Sequence, residues 1–296
     1  MDYPCYNSKR ISLGKFGINK LKTMNTELQN IKESANFIRE KGFINGETGI
    51  VLGTGLGNLV SKIEVEKELS YSDIPHFPVS TVEFHSGKLI YGKLGGKQVI
   101  AMQGRFHYYE GYNMNQIVFP IRVLKLLGIK HLLISNAAGA INKNFKKGDL
   151  MLITDHINLQ SNALIGKNLD ELGTRFPDMS EPYDKSLISK AHEIANSLEI
   201  KVVQGSYAGL SGPTLETPAE YAYIRNIGAD TVGMSTVPEV IAARHMGIPC
   251  FGFSIITDLG LPGKIIEMTH EIVQEVARKA TPKITKITKE LIKKIT

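Results

Sequence analysis

The chain has few cysteines, no long apolar run and no stripe of concentrated positive charge, and each shortage removes a class of protein. Cys5 and Cys250 are the two cysteines in 296 residues. Far apart in the chain, they offer neither metal-ligand spacing nor a disulfide framework, which fits a reducing, cytoplasmic compartment. No stretch reaches the roughly 18 consecutive apolar residues of a membrane helix, and the N-terminus lacks the basic-then-apolar pattern of a secretory signal. The formal charge of +6 is modest. Lysines gather only between Lys283 and Lys294, where they alternate with Ile284, Ile287, Leu291 and Ile292, as on an amphipathic helix with a solvated face. A nucleic-acid binder concentrates its charge in a stripe, so neither nucleic acid nor a membrane is expected as a partner. A mildly basic balance does suit a small anion such as phosphate.

What the chain does hold is enough apolar sequence, 42% of its residues, to bury a sizeable core. Residues 1–23 read as an irregular polar tail, with Met24 a possible functional start, and residues 24–296 as a single α/β domain. Thr26 and Gln29 form a candidate capping box, after which Leu28, Ile31, Ala35 and Ile38 line one helical face. Short apolar runs predict strands over 49–52, 88–91, 98–102, 132–135, 150–154, 202–207, 231–234 and 251–256. Helical patterns fall between them, over 115–127 with Pro120 as a kink, 183–198, 238–246 and from Thr269 onward. Another starts at Thr217, with Pro218 at its first position and Glu220 completing a capping box. Strands alternating with helices predict an α/β fold, a central mixed β-sheet flanked by helices. Strands that end in small or polar turns predict a site at their carboxyl ends.

Several of those turns carry residues with chemistry, and each has a plain structural reading beside the functional one. Gly53-Thr54-Gly55-Leu56-Gly57 lets backbone N–H groups approach an anion, with the Thr54 hydroxyl as an added donor; it also makes an ordinary tight turn. Asn58 stands where a dinucleotide fingerprint needs its last glycine, and no Lys-Ser/Thr pair completes a P-loop. Arg105, His107 and Tyr109 alternate along an extended segment and share one side. A guanidinium fork with an imidazole suits phosphate, while the alternative is a polar loop beside a core histidine. Ser135-Asn136-Ala137-Ala138-Gly139 lets a ligand lie against backbone or a helix pack closely. Glu216 either accepts from a purine edge or stabilises the first turn of the next helix. Ser235 lies near a helix start that favours an anion, without the G-x-S-x-G context of a hydrolase. Asp258 ends a strand and addresses a base or caps a turn; His270 addresses a sugar hydroxyl or is an ordinary helix histidine. His192-Glu193 lacks the second histidine of a zincin, and no metal site is expected.

Taken in order, Leu52–Gly57, Gly104–Tyr112, Ser135–Gly139, Asp155–Leu159, Arg175–Ser180, Ala208–Thr217 and Val232–Glu239 resemble the trimeric purine nucleoside phosphorylase family, which includes the methylthioadenosine phosphorylases. The resemblance implies phosphorolysis of inosine, guanosine and their deoxy forms to free base and ribose 1-phosphate in purine salvage, by a cytoplasmic homotrimer. Orthophosphate is then a co-substrate and no cofactor is implied. It gives Thr54, His85, Arg105, His107, the Ala137 backbone and Ser235 to phosphate, and Tyr109 and Met234 to the ribose. His270 goes to the 5′-hydroxyl, Phe176 to a neighbouring subunit's site and Glu216 to the purine N1 and 2-substituent edge. Asp258 departs from the family: enzymes for 6-oxopurines usually carry asparagine there. Asparagine both donates and accepts, whereas an ionised aspartate only accepts; it repels O6 unless protonated and welcomes a 6-amino group. Methylthioadenosine phosphorylases share that aspartate but usually lack equivalents of Glu216 and His270. An adenosine or methylthioadenosine phosphorylase and a non-catalytic nucleoside-binding protein therefore stand as alternatives.

Overall fold

The computed structural model describes residues 16–53, 57–79 and 86–295, with the backbone alone at 16–25, 57, 58 and 270. Its strands are β1 (Thr48–Leu52), β2 (Glu64–Ser70), β3 (Lys88–Leu94), β4 (Lys97–Gln103), β5 (His131–Ala140), β6 (Leu150–Asn158), β7 (Val202–Gly209), β8 (Thr231–Gly233) and β9 (Cys250–Leu259). Its α-helices are α1 (Phe16–Glu40), α2 (Met114–Leu127), α3 (Lys185–Ser197), α4 (Pro218–Asn226), α5 (Val237–His245) and α6 (His270–Lys294).

All strands join one mixed sheet in the order β2-β3-β4-β1-β5-β8-β7-β6-β9. β5 also pairs with β9 in parallel, from Leu132 opposite Cys250 to Ala140 opposite Leu259. The strands β5, β8, β7, β6 and β9 thus close into a ring, while β1, β4, β3 and β2 extend from β5 as an open wing. The first residues of β5 pair with β1 and its last two with β8. That switch of partner opens the sheet where Asn136 to Gly139 run.

The capping signals carry over into structure. Thr217 accepts from the Glu220 amide and Glu220 from the Thr217 amide, with Pro218 opening α4. Thr269 accepts from the Ile272 amide at the head of α6. Along α6, Ala277, Ala280, Ile284, Ile287, Leu291 and Ile292 are buried while Lys283, Lys286, Lys289, Lys293 and Lys294 face solvent.

Two expectations need correction. α1 begins at Phe16, so residues 16–23 are helical and Thr26 lies inside the helix; residues 1–15 lie outside the described residues. The second is β2, which the apolar pattern does not predict. Its sequence EVEKELS is almost entirely exposed, and it is a strand because β3 offers it an antiparallel partner.

Candidate active site

A cleft of about 160 Å³ opens where β5, β8 and β9 end. Arg105, His107, Tyr109, Ala137, Glu216, Met234, Ser235 and Asp258 all line it. These residues come from separate turns, some of the ring and some after the wing strand β4, and the junction of wing and ring at β5 brings them together.

Arg105 forms the floor at one end. It is 1% exposed, and its Nε and Nη2 donate to the two Glu239 carboxylate oxygens at 3.0 and 2.7 Å. Nη1 donates to the Ser135 carbonyl at 2.8 Å and to Ser235 Oγ at 3.1 Å. The arginine is therefore not a bare fork, as the sequence suggests, but one already matched by a buried carboxylate. Gly53 makes room for it: a Cβ there would fall 2.3 Å from the Ser135 carbonyl oxygen and 3.1 Å from Arg105 Nη1. The glycine-rich turn thus starts against the same floor, although Thr54 itself lies outside the described residues.

His107 is the second group at this end. Its Nδ1 lies 2.9 Å from Glu110 Oε1. That carboxylate, which also accepts the His107 amide at 2.8 Å, can only accept, so Nδ1 carries the proton and Nε2 is the acceptor. Burial holds the imidazole below its ordinary pKa against the pull of Glu110. The ring stacks on Tyr109 at 4.7 Å between centroids, which leaves the tyrosine as a half-open wall.

Ser235 is held by its neighbour's backbone. Thr236 has φ +70°, a conformation that side chains with a Cβ rarely adopt and that costs on the order of 1–3 kcal/mol. Asn136 Nδ2 donates to Thr236 Oγ1 at 2.8 Å, and the Ser235 amide donates to the Tyr207 hydroxyl at 3.2 Å. With Asn136 oriented this way its Oδ1 is buried and has no partner among the described residues. A buried acceptor without a donor costs on the order of 1–3 kcal/mol.

The other end is acidic. Asp258 accepts from Thr257 Oγ1 at 2.8 Å and presses on Gly139, where a Cβ would fall 2.7 Å from its Oδ2. Burial pushes its pKa up. Burial raises Glu216 too, with repulsion from Asp258 adding to it. The helix-dipole reading of Glu216 does not hold: α4 begins two residues later, and Glu220 occupies its first turn. Met234 packs against Gly212, whose Cβ would fall 2.3 Å from the methionine sulfur.

The remaining expected residues lie elsewhere. His85 is outside the described residues. His270 heads α6 with its side chain outside the described atoms, while Val273 of the same helix reaches the cleft. Phe176 is on another surface, 87% exposed, with the Arg175 guanidinium 5.5 Å from its ring centroid. Glu239, Asn136 and Tyr221 belong to the site without having been singled out in the sequence. Glu239 looks there like an ordinary first-turn acid of α5, and Asn136 like part of a small-residue strand end.

A seat for an anion facing a pair of carboxyl groups, both at the carboxyl ends of strands, suits an enzyme that brings an anion against a neutral heterocyclic substrate. The chain belongs to the phosphorylase superfamily, whose family model matches residues 47–293. Its relatives there are purine nucleoside phosphorylases. Purine nucleoside phosphorylase 1 of Geobacillus stearothermophilus is 47% identical over 264 residues, 89% of this chain and 96% of that protein. The Schistosoma mansoni purine nucleoside phosphorylase, solved with adenosine, superposes with a TM-score of 0.86 at 40% identity, covering 90% of this chain and 98% of that one. Isoform 2 from the same organism, solved with cytosine and ribose-1-phosphate, gives 0.87 at 42% identity, covering 90% and 97%.

Proposed function

We propose that this cleft carries out phosphorolysis of purine ribonucleosides, inosine and guanosine first, releasing free base and ribose 1-phosphate. The observation that carries the reading is the pairing of two unlike ends: Arg105, His107 and Ser235 at one, Glu216 and Asp258 at the other. Orthophosphate occupies the first end, with Thr54, His85 and the Ala137 backbone as its further contacts. The ribose lies between, against Tyr109 and Met234, with His270 at its 5′-hydroxyl. The base lies between Glu216 and Asp258.

In this reading the C1′–N9 bond lengthens first, and the positive charge that develops on the ribose is stabilised by the phosphate beside it. A phosphate oxygen then forms the new bond to C1′. The pair of electrons from the broken bond stays on the base, which leaves as a proton is donated at N7 from the Asp258 side. No covalent enzyme intermediate is required; positioning and electrostatics supply the rate. Because phosphate is a reactant, no organic cofactor or metal enters. The protein works as a cytoplasmic homotrimer in purine salvage, each Phe176 completing a neighbour's site.

One observation favours a second reading. Asp258 in place of asparagine welcomes a 6-amino group when ionised, which would move the preference towards adenosine or methylthioadenosine. Release of base from inosine, guanosine, adenosine and methylthioadenosine, with and without phosphate, tests both. Phosphate-dependent cleavage led by inosine and guanosine is the expected result. A lead for either adenine nucleoside selects the second reading, and no cleavage of any would leave only a binding protein.

A further inference from the structure

The turn that leads into α5 breaks two local rules at one residue. Thr236 has φ +70° and ψ −52°, and the Val237 amide donates across it to the Ser235 carbonyl at 2.7 Å. Thr236 is thus the centre of a γ-turn of the rare, strained hand, and a β-branched side chain suits a positive φ poorly. The residue also stands at the N-cap of α5, where a threonine ordinarily accepts from an amide of the first turn. Here the side chain makes no such bond. Glycine would satisfy this backbone without strain, and the helix makes no use of the hydroxyl. Thr236 is fully buried, so its hydroxyl has to be satisfied inside the protein.

Its partners form a directed chain. Asn136 Nδ2 donates to Thr236 Oγ1 at 2.8 Å, and since an amide nitrogen only donates, Thr236 accepts. Among the described residues the Thr236 hydroxyl has one further partner, Ser235 Oγ at 3.2 Å, and that is where its own proton goes. Ser235 Oγ also accepts from Arg105 Nη1 at 3.1 Å. A hydroxyl oxygen has two lone pairs, and both are then taken. Ser235 has only its hydrogen left to offer, and the residue lines the cleft. Arg105 meanwhile commits Nε and Nη2 to Glu239 and shares Nη1 with the Ser135 carbonyl. Ser235 is therefore a route by which the buried guanidinium reaches the cleft, and a hydroxyl that accepts from a cation is the stronger donor for it.

We infer that Thr236 is a positioning residue for the anion: by accepting from Asn136 and donating to Ser235, its hydroxyl holds Ser235 as a hydrogen-bond donor towards the cleft. This rests on the reading that phosphate is the anion at this end. Without the Thr236 hydroxyl one lone pair of Ser235 is open, and the serine can rotate to meet phosphate with that lone pair instead of a proton. The hydroxyl gives the strained turn a purpose that its backbone alone does not.

The test uses the full chain with Thr236→Val, Thr236→Ser and Thr236→Gly, each also in a Ser235→Ala background. The first readout is a phosphorus NMR titration with inorganic phosphate and no nucleoside. Thr236→Val keeps the shape and removes the hydroxyl; phosphate affinity should fall roughly tenfold. The phosphate KM should rise by a similar factor while the nucleoside KM stays constant. Thr236→Ser should restore phosphate binding to within about threefold of wild type. Thr236→Gly relieves the turn, so it should melt no lower than Thr236→Val yet bind phosphate as weakly. In the Ser235→Ala background, Thr236→Val should add nothing. Wild-type phosphate affinity in Thr236→Val or Thr236→Gly would overturn the inference, because the hydroxyl would then be idle. So would a failure of Thr236→Ser to rescue, an undiminished loss in the Ser235→Ala background, or an equal rise in nucleoside KM, each of which reduces Thr236 to packing. If the wild-type chain binds phosphate in this hydroxyl-dependent way but cleaves no nucleoside, the functional reading has failed and the positioning role stands. A wild-type chain that binds no phosphate overturns both.

Discussion

At the Arg105 end of the cleft the guanidinium meets the Glu239 carboxylate and the His107 imidazole donates to Glu110, all nearly sealed from solvent. At the Asp258 end two acids line the same wall, and the donor to Asp258 is the neutral hydroxyl of Thr257. The first end has a fixed geometry. The second has a proton inventory that a ligand can alter. On the proposed reading the difference separates two tasks: holding the reactant that never changes, and choosing among bases that differ by a proton donor or acceptor.

The sharpest way to break this comparison is to remove one member of each end. Glu239→Ala leaves Arg105 buried and unmatched and should cost about 3–5 kcal/mol in urea unfolding, with Glu239→Gln as the gentler substitute if the first does not fold. Asp258→Asn should stay within about 1 kcal/mol. Equal costs would show that the two ends are not built differently. Next in size, Glu216→Ala should lower kcat/KM for guanosine roughly 10- to 100-fold while the phosphate KM stays constant; a matching rise in phosphate KM would mean that the ends are coupled. Asp258→Asn should then shift turnover from adenosine towards inosine by roughly tenfold, and a flat ratio would remove Asp258 from reading the 6-position.

A smaller effect lies in the pH dependence of stability, where the two ends have opposite signs. His107 holds its proton less tightly when folded, so the unfolded chain takes up protons first as pH falls through the ordinary imidazole range near 6.5, and stability drops there. Asp258 and Glu216 hold theirs more tightly when folded. Their contribution is present at low pH and is lost as pH rises from the ordinary carboxylate range through their raised values. Thermal melts against pH should flatten near neutrality in His107→Asn and in the acid range in Asp258→Asn; slopes unchanged by either would refute the assignment. The smallest effect is expected at Phe176. Exposed as it is, Phe176→Ala should change unfolding free energy by no more than about 0.5 kcal/mol. A rise in nucleoside KM that depends on protein concentration would mark it as a group shared between subunits.

Much of the fold was legible because its signals are local. The Thr217-Pro218-Glu220 cap and the apolar stripe of α6 each depend on residues within a turn or two of one another. β2 was not legible, since its strand character comes from its partner β3. The site divides in the same manner. Arg105, His107 and Tyr109 were visible as one alternating segment. The Arg105–Glu239 pair joins residues distant in sequence, and nothing along the chain distinguishes Glu239 from other acids at helix starts. Tyr221 looks in sequence like one more aromatic on a helix, and only the fold shows that it lines the cleft.

The closed ring of strands has a consequence for life at high concentration. Every strand from β3 through β9 has a neighbour on each side, so among the described strands β2 alone leaves a row of backbone donors and acceptors open to another chain. That edge carries Glu64, Glu66, Lys67 and Glu68, all exposed, and charged side chains along an edge make strand-to-strand addition unfavourable. Replacing them with threonine or valine would turn the quietest part of the molecule into its point of aggregation.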